Sequence, residues 1–193
     1  MTIAHAPTLE HRRFYTYQDY LKLPEDGMRY EIIDGELFMS PAPTLGHQRI
    51  LGNFYVIIFN FLEKKRLGEV FFAPTDVIFS EINILQPDLV FVSHERFEIL
   101  TRENIQGAPD LVIEVLSLGT QKRDRTEKLR QYERFGVQEY WMVNHEKQWV
   151  EVWRREGGKL IFHKRLERNQ ILTTPLLHGL KIRLTKIFRQ HLN

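Results

Sequence analysis

Apolar residues recur along this chain in two periods, one helical and one typical of strands. From residue 47 to about residue 65 they return at helical spacing through Leu51, Phe54, Ile58 and Leu62, which predicts a long amphipathic helix with one apolar face. Shorter apolar runs follow, bounded by glycine, proline and charged residues, and each of them predicts a strand. The predicted strands cover residues 69–72, 76–79, 88–92, 110–116 and 139–143.

Turn and cap signals predict the remaining elements. Asp34-Gly35 between two apolar runs is a strong hairpin signal, and Gly157-Gly158 separates two further strands in the same way. Thr120 has the chemistry of a helix N-cap. These signals predict a helix over residues 17–23, hairpin strands over 30–33 and 36–39, a second helix from 120 to about 136, strands over 149–153 and 160–163, and a strand with a terminal helical turn over 180–188; residues 93–107 are predicted to be irregular with one short helix.

This order of elements predicts a mixed α/β (α+β) fold around a mixed central sheet. The chain has 193 residues, no internal repeat beyond a doubled Pro-Asp-Leu-Val motif at 87–90 and 109–112, and no linker, so we expect one domain over residues 1–193. Within it we expect an N-terminal helix and hairpin at 15–40, a core at about 43–144, and C-terminal antiparallel strands at 148–190.

One of the most apolar predicted strands carries an acid at its centre. Glu114 lies among Leu111, Val112, Ile113 and Val115, a run typical of a strand that is covered on both faces. An unpaired buried carboxylate costs several kcal/mol, so this group must be paired, protonated or bound to a metal.

A second acid, Asp88, opens another core strand. Two carboxylates on neighbouring core strands are what a hard divalent cation such as Mg²⁺ needs, and Mn²⁺ would substitute for it. The alternative is that both acids pair with lysine or arginine in a purely structural network.

Composition excludes several classes of site. The chain has no cysteine, which excludes disulfides, thiolate zinc sites and cysteine nucleophiles and agrees with a cytoplasmic protein. No stretch approaches 18 apolar residues, so no membrane span is expected.

The charge balance is nearly even. Lysine and arginine number 27 against 25 acids, whereas a protein that coats nucleic acid by charge alone would be more basic. Residues 122–134 and 154–168 are locally basic, either as phosphate-facing patches or as ordinary solvated faces.

The helical wheel adds a cation to the two acids. In the second helix Lys128 falls between Tyr132 and Phe135 on the apolar arc, within roughly 40° of either, which points it toward the sheet. It either snorkels to the rim or places its ammonium beside Glu114 and Asp88. Arg123, Arg130 and Arg134 are predicted to lie on the opposite, solvated face.

Two further side chains are candidates for the same cleft. His47 lies in the first turn of the long helix, in line with its apolar face, where a histidine is either a core residue or a group that points into the cleft. Glu31, between Tyr30 and Ile32 in the hairpin, is a weaker candidate.

The ordered set of motifs resembles a known family. The helix-strand-strand-strand-helix-strand order over residues 47–143 is similar to the restriction-endonuclease-like fold, and Asp88 and Glu114 fall where the PD-(D/E)xK motif of that superfamily has its acids. Over about residues 15–190 the chain resembles the Uma-two family of bacterial endonucleases. The matching pieces are Tyr30–Leu37, His47, Pro87–Val90, Pro109–Ser117, Asp124, Lys128, Tyr132 and Glu139–Trp141.

The chain departs from the superfamily motif at its lysine, because that position is Leu116. Lys128 is the obvious substitute. The resemblance then implies a Mg²⁺-dependent endonuclease acting on DNA. Its catalytic residues would be Asp88, Glu114 and Lys128, and the two acids would also be the metal ligands. The residues that support them or contact the substrate would be Glu31, His47, Asp124 and Tyr132. One alternative is a nuclease fold whose catalysis has decayed and which binds nucleic acid or another partner. Another is a nuclease that acts on a different substrate, such as RNA or a modified DNA. Trp149 and Trp153 belong either to a homodimer edge or to the core.

Overall fold

A long helix and a six-stranded sheet organise the molecule. The computed structural model of the protein describes residues 14–117, 119 and 121–189, so the predicted cap residue Thr120 lies outside the described residues. The helices are α1 (Tyr17–Tyr20), α2 (Leu45–Lys65), α3 (Gln121–Arg123), α4 (Leu129–Phe135) and α5 (Leu184–Ile187), with a 3₁₀ helix at His94–Ile99 and a π-helical turn at Asp124–Lys128 that joins α3 to α4.

The strands form two large sheets and one small one. The six-stranded sheet has the order β11-β10-β9-β8-β6-β3, the five-stranded sheet β2-β1-β5-β4-β7, and β12 pairs with β13. The bounds are β1 (Arg29–Ile33), β2 (Glu36–Ser40), β3 (Gly68–Phe72), β4 (Val77–Ser80), β5 (Asn83–Leu85), β6 (Leu89–Ser93), β7 (Ile105–Gln106), β8 (Leu111–Val115), β9 (Glu139–Asn144), β10 (Trp149–Glu156), β11 (Lys159–Glu167), β12 (Ile171–Leu172) and β13 (Ile182–Arg183).

The six-stranded sheet is mixed, as predicted. β8 and β9 run parallel, with Leu111 opposite Glu139, and the remaining neighbours pair antiparallel. The helical segment from α3 to α4 supplies the connection that a parallel pair requires. The path α2, β3, β6, β8, α3–α4, β9 therefore reproduces the predicted helix-strand-strand-strand-helix-strand core.

Each face of this sheet carries its own apolar cluster. On one face, Phe54 and Ile58 of α2 pack with Leu89, Ile113 and Trp141 of the sheet, together with the C-terminal segment. On the other face, Tyr132 of α4 packs with Val90, Val112 and Tyr140 and with side chains of the five-stranded sheet. Because both faces are covered, an acid on β8 has no route to bulk water except at the end of the strand.

Some predicted elements are placed differently in the structure. Residues 76–79 largely form a strand, as predicted, but this strand, β4, pairs with β5 and β7 in the five-stranded sheet and takes no part in the six-stranded one. Strands β5, β7, β12 and β13 contain two or three residues each, too few for a periodic signal. Trp149 is buried and Trp153 packs against the core, so neither forms an exposed edge.

Candidate active site

Strand register brings Asp88 and Glu114 together. In the antiparallel pair of β6 and β8, Leu89 lies opposite Ile113, which places Asp88 opposite Glu114 at the next position. Residues directly opposite each other point to the same face of a sheet. The backbone N–H of Asp88 donates to Oε2 of Glu114 at 3.3 Å, and both side chains are buried.

The chain's second Pro-Asp-Leu-Val motif lies at the other end of the same strand pair. Asp110 precedes β8, where its Oδ2 accepts a hydrogen bond from the backbone N–H of Ser93 at 2.7 Å. Arg96 approaches its other oxygen at 3.6 Å. Antiparallel pairing thus places the two identical motifs at opposite ends of the strand pair, and it is Asp88 that lies opposite Glu114.

Asp88 is held by donors from three parts of the chain. Its Oδ2 accepts hydrogen bonds from Nε2 of His47 and from the backbone N–H of Val115, each at 2.8 Å. Its Oδ1 accepts one from the guanidinium of Arg29 at 2.9 Å. His47 reaches this position from the first turn of α2. This helix follows the N-cap Thr44 and begins at Leu45, two residues before the predicted start.

Lys128 lies beside Glu114 rather than at the rim. Its Nζ is 2.9 Å from Oε1 of Glu114 and 2.8 Å from Oε1 of Glu31, and it lies 3.7 Å from Oδ1 of Asp124. The π-helical turn spans from Asp124 to Lys128, and both of these side chains are buried. Turns of this type are frequent at functional sites.

Two tyrosines complete the surroundings of the acids. The hydroxyl of Tyr132 donates to Oε1 of Glu114 at 2.7 Å, and that of Tyr140 donates to the backbone carbonyl of Asp124 at 3.1 Å. Both rings are fully buried and meet edge to face, with ring centroids 4.9 Å apart. Tyr132 thereby fixes α4, and with it Lys128, against β8.

Glu31 joins the site from the N-terminal hairpin. Its Oε1 accepts the backbone N–H of Gln86 at 3.0 Å in addition to the contact with Lys128. Arg123, predicted to be solvated, instead lies over the ring of Phe38 at 4.0 Å and 3.7 Å from Oε2 of Glu31. Its side chain is only 18% exposed. The prediction was wrong because the hairpin covers the start of this helical segment, which a wheel of the helix alone does not show.

The acids and Lys128 line a cavity of about 440 Å³ at the end of the six-stranded sheet. Its wall also includes Val115, Ser117 and His145. Four buried carboxylates, those of Glu31, Asp88, Glu114 and Asp124, face three permanently charged cations here, Arg29, Arg123 and Lys128. The described part of this wall therefore has one more buried acid than permanent cations, and the exposed Glu146 adds a further carboxylate.

The neighbouring charges determine the protonation of the two motif acids in opposite ways. Burial would raise the pKa of Asp88, but the hydrogen bond and charge of His47, with Val115 and Arg29, hold it below its usual value. Burial raises the pKa of Glu114 to about 8; the charge of Lys128 opposes this rise, and Asp88, Asp124 and Glu31 add to it. Burial opposes the charge of Lys128, but the three carboxylates around it raise its pKa well above the ordinary value.

The raised pKa of Glu114 predicts a pH dependence of stability in metal-free protein. Between its unfolded value of 4.5 and its folded value of about 8, only the folded chain keeps this proton, so the free energy of unfolding should fall as pH rises from 5 to 8. The contribution of Asp88 to the free energy of unfolding changes only below about pH 4, and that of Lys128 only above about pH 10, so both lie outside this window. Urea unfolding at several pH values, with a chelator present, measures this slope. A free energy of unfolding that rises or stays constant between pH 5 and 8 would contradict this prediction.

Sequence reasoning missed several polar side chains in the wall of the cavity, among them Arg29, Gln86 and His145. Arg29 stands two residues before Glu31 on β1, so the two share a face of the strand, and this alternation was a usable signal. Gln86 and His145 lie just outside regular strands, where no periodicity applies. The structure brings every predicted site residue to one place: Glu31, His47, Asp88, Glu114, Asp124, Lys128 and Tyr132.

Comparison with known proteins identifies the family of this chain. The Uma2 family model, described as "Putative restriction endonuclease", matches residues 17–185. The chain belongs to the Uma-two family. It is also similar to a crystal structure described as a putative nuclease belonging to DUF820 from Anabaena variabilis ATCC 29413. That likeness has a TM-score of 0.74 and 22% identity, and it covers 90% of this chain and 97% of the other, so it shows a shared fold. No curated protein matches the chain.

Two absences are also observed. Among residues 14–117, 119 and 121–189, no group of three or more His, Cys, Asp or Glu side chains has the arrangement of a metal site. Within the same part of this Uma-two protein, no helix is long and apolar enough to cross a membrane.

Proposed function

We propose that this Uma-two protein is a metal-dependent endonuclease that hydrolyses phosphodiester bonds in DNA. The observation that carries the proposal is the meeting of Asp88, Glu114 and the ammonium of Lys128 on the wall of one cavity. The family description supports a nuclease, and DNA as the substrate follows the restriction enzymes named in that description.

The donor set fits a hard divalent cation. Mg²⁺ binds through one or two carboxylates and keeps several waters, so a site need not have three acidic or histidine side chains. Asp88 and Glu114 would hold it, with the backbone carbonyl of Val115 as the third protein donor, and Mn²⁺ would substitute. When bound, such an ion lowers the pKa of a bound water and offsets the negative charge of the phosphate. The cavity wall has one more buried acid than permanent cations, so a bound cation would balance the negative charge of the ionised acids there.

Each protein group has a role that its contacts support. Lys128 lies beside Glu114 with its charge retained, so it is placed to stabilise negative charge that develops on the phosphate or to orient the attacking water. His47 and Arg29 hold the Asp88 carboxylate in its ionised form and in one orientation. Glu31 and Asp124 keep Lys128 charged, and Tyr132 orients Glu114.

Metal binding tests the proposal directly. We expect wild-type protein to bind Mn²⁺ in a calorimeter and to nick supercoiled plasmid only when Mg²⁺ or Mn²⁺ is added. Asp88→Asn should remove the binding because it replaces a carboxylate ligand with a neutral amide. Single-stranded DNA and RNA in the same assay identify the preferred substrate.

Asp110→Asn is the matched control for that variant. Asp110 has the same Pro-Asp-Leu-Val context and similar burial, but it bonds to Ser93 away from the cavity. The Asp110→Asn substitution should lower the stability of the protein without changing its Mn²⁺ binding. If wild-type protein binds neither ion and cleaves none of the three nucleic acids, the acids form the structural network described above, and the decayed-nuclease alternative is correct.

A further inference from the structure

The outward face of α2 is more apolar than a solvated helix face. Leu45, Val56 and Phe59 are 78%, 54% and 41% exposed. On a wheel of about 100° per residue, they fall with Arg49, Gly52 and Glu63 in one stripe within about 40° of the direction opposite the buried Phe54. The outward face of a surface helix is normally charged or polar.

Aromatic side chains extend this stripe toward the edge of the sheet. Tyr55 stacks on Phe59 with ring centroids 5.6 Å apart and meets the exposed Phe72 of the edge strand β3 at 4.7 Å. At Gly52 an added Cβ would meet no atom within 4 Å, so this position leaves a notch on the helix surface. We call the six residues of the stripe, with Tyr55 and Phe72, the α2 surface.

We propose that the α2 surface is the interface of a homodimer, in which α2 packs antiparallel to α2 of a second copy about a two-fold axis near Val56. Arg49 and Glu63 each stand seven residues from Val56 on the same stripe. An antiparallel arrangement about Val56 therefore sets Arg49 opposite Glu63 of the second copy, and the symmetry repeats the pair. Gly52 lets the two backbones approach closely near the axis.

This pattern fits a second copy better than it fits another partner. A two-fold interface uses the same patch on both molecules and must be complementary to itself. The α2 surface meets that requirement, with an apolar centre and opposite charges at equal distances on either side. A parallel arrangement would instead set Arg49 against Arg49. The edge strand β11 is a poorer pairing surface, since a bulge interrupts its register with β10 and Lys164 and Arg165 add charge.

The dimer leaves both cavities open. His47, at the cavity wall, stands nine residues from Val56. In the antiparallel arrangement the two copies of His47 would therefore be about 27 Å apart along the helix axes, at 1.5 Å per residue. The interface contains no residue of the candidate active site, so assembly can be tested without reference to activity.

The first test is the mass of the protein in solution. Light scattering after gel filtration should give a dimer at about 100 µM, a concentration well above a dissociation constant in the micromolar range. Val56→Asp should give a monomer with an unchanged circular dichroism spectrum. Ile161→Asp, at a side chain on β11 that is 44% exposed, is the matched control and should remain dimeric. A monomeric wild type, or a dimer that survives Val56→Asp, would overturn the proposal.

The second test addresses the antiparallel register. Arg49→Glu or Glu63→Arg alone should weaken the dimer at least about tenfold, since each sets like charges opposite each other twice, and the double variant should restore it. Because the chain has no cysteine, Val56→Cys should form a disulfide-linked dimer under oxidation, and Ile161→Cys should not. Failure of the double variant to restore the dimer, together with no cross-link at position 56, would rule out this arrangement.

Discussion

Replacing Glu114 with glutamine is expected to abolish cleavage and at the same time to stabilise the metal-free protein at pH 8. Cleavage should be lost because one of the two carboxylate ligands becomes a neutral amide. Stability should rise because glutamine has the shape of the acid but no charge to bury next to Asp88, Asp124 and Glu31. At pH 5, where Glu114 is already protonated in the folded chain, the two proteins should differ little.

Unfolding curves and plasmid cleavage measured on the same preparations test both halves of this prediction. The free energy of unfolding of the glutamine variant should be nearly constant between pH 5 and 8, while that of wild type falls by about a few kcal/mol. Saturating Mg²⁺ should stabilise wild type and leave the variant unchanged. A variant that is strongly destabilised at pH 8 without metal would identify Glu114 as half of a structural ion pair with Lys128.

Lys128→Met should lower the cleavage rate by about 10²-fold or more, which is the scale found when one preorganised electrostatic group is removed. The variant should bind DNA about as well as wild type. The loss should fall on turnover because the phosphate carries more negative charge to be stabilised in the transition state than in the ground state. Methionine keeps most of the side-chain volume, so the packing against Tyr132 is disturbed little. Single-turnover rates and DNA binding in Ca²⁺ separate the two effects.

Removing Lys128 also leaves Glu31, Glu114 and Asp124 without their shared cation. We therefore expect the variant to be less stable than wild type at pH 8 and to gain stability as pH falls to 6. Loss of Lys128 raises the pKa of Glu114 further, so only the folded chain holds this proton over that range. Lys122→Met is the matched control, an exposed lysine on the same helical segment, and should keep full activity. Arg125 is a poor control because it pairs with the buried Glu151 at 2.9 Å. Unchanged cleavage by Lys128→Met would exclude this lysine from catalysis.

Strong local signals allowed the sequence to predict much of this site. The continuous apolar run around Glu114 made a buried acid evident, and helical periodicity directed Lys128 inward. The Asp34-Gly35 turn located the hairpin that carries Glu31; in the structure Asp34 has a positive φ of 50° and Gly35 one of 76°. In each case a few adjacent residues contain the whole pattern.

Features that depend on contacts between distant segments were not predictable in the same way. Arg29 bonds to Asp88 across 59 residues of sequence, and Arg123 is covered by a hairpin that lies far from it along the chain. The place of β4 in the five-stranded sheet depends on its pairing with β5 and β7, two strands that are too short to recognise from the sequence. Periodicity describes one element at a time, so it cannot report what packs against that element.

The pairing of β6 with β8 also affects how relatives of this protein can be recognised. Asp88 and Glu114 meet because they lie opposite each other across the pair of β6 and β8. The stretch between the two strands, which includes the 3₁₀ helix, supplies no residue to the cavity wall. Its length can therefore change without moving either acid, whereas a single residue inserted within β8 would turn Glu114 to the other face of the sheet. The same reasoning applies to Lys128, which reaches Glu114 from the π-helical turn, whereas the motif position just after β8 is Leu116. A fixed count of residues between the acids and the lysine would thus overlook homologues that keep the site intact, and a search based on strand register would find them.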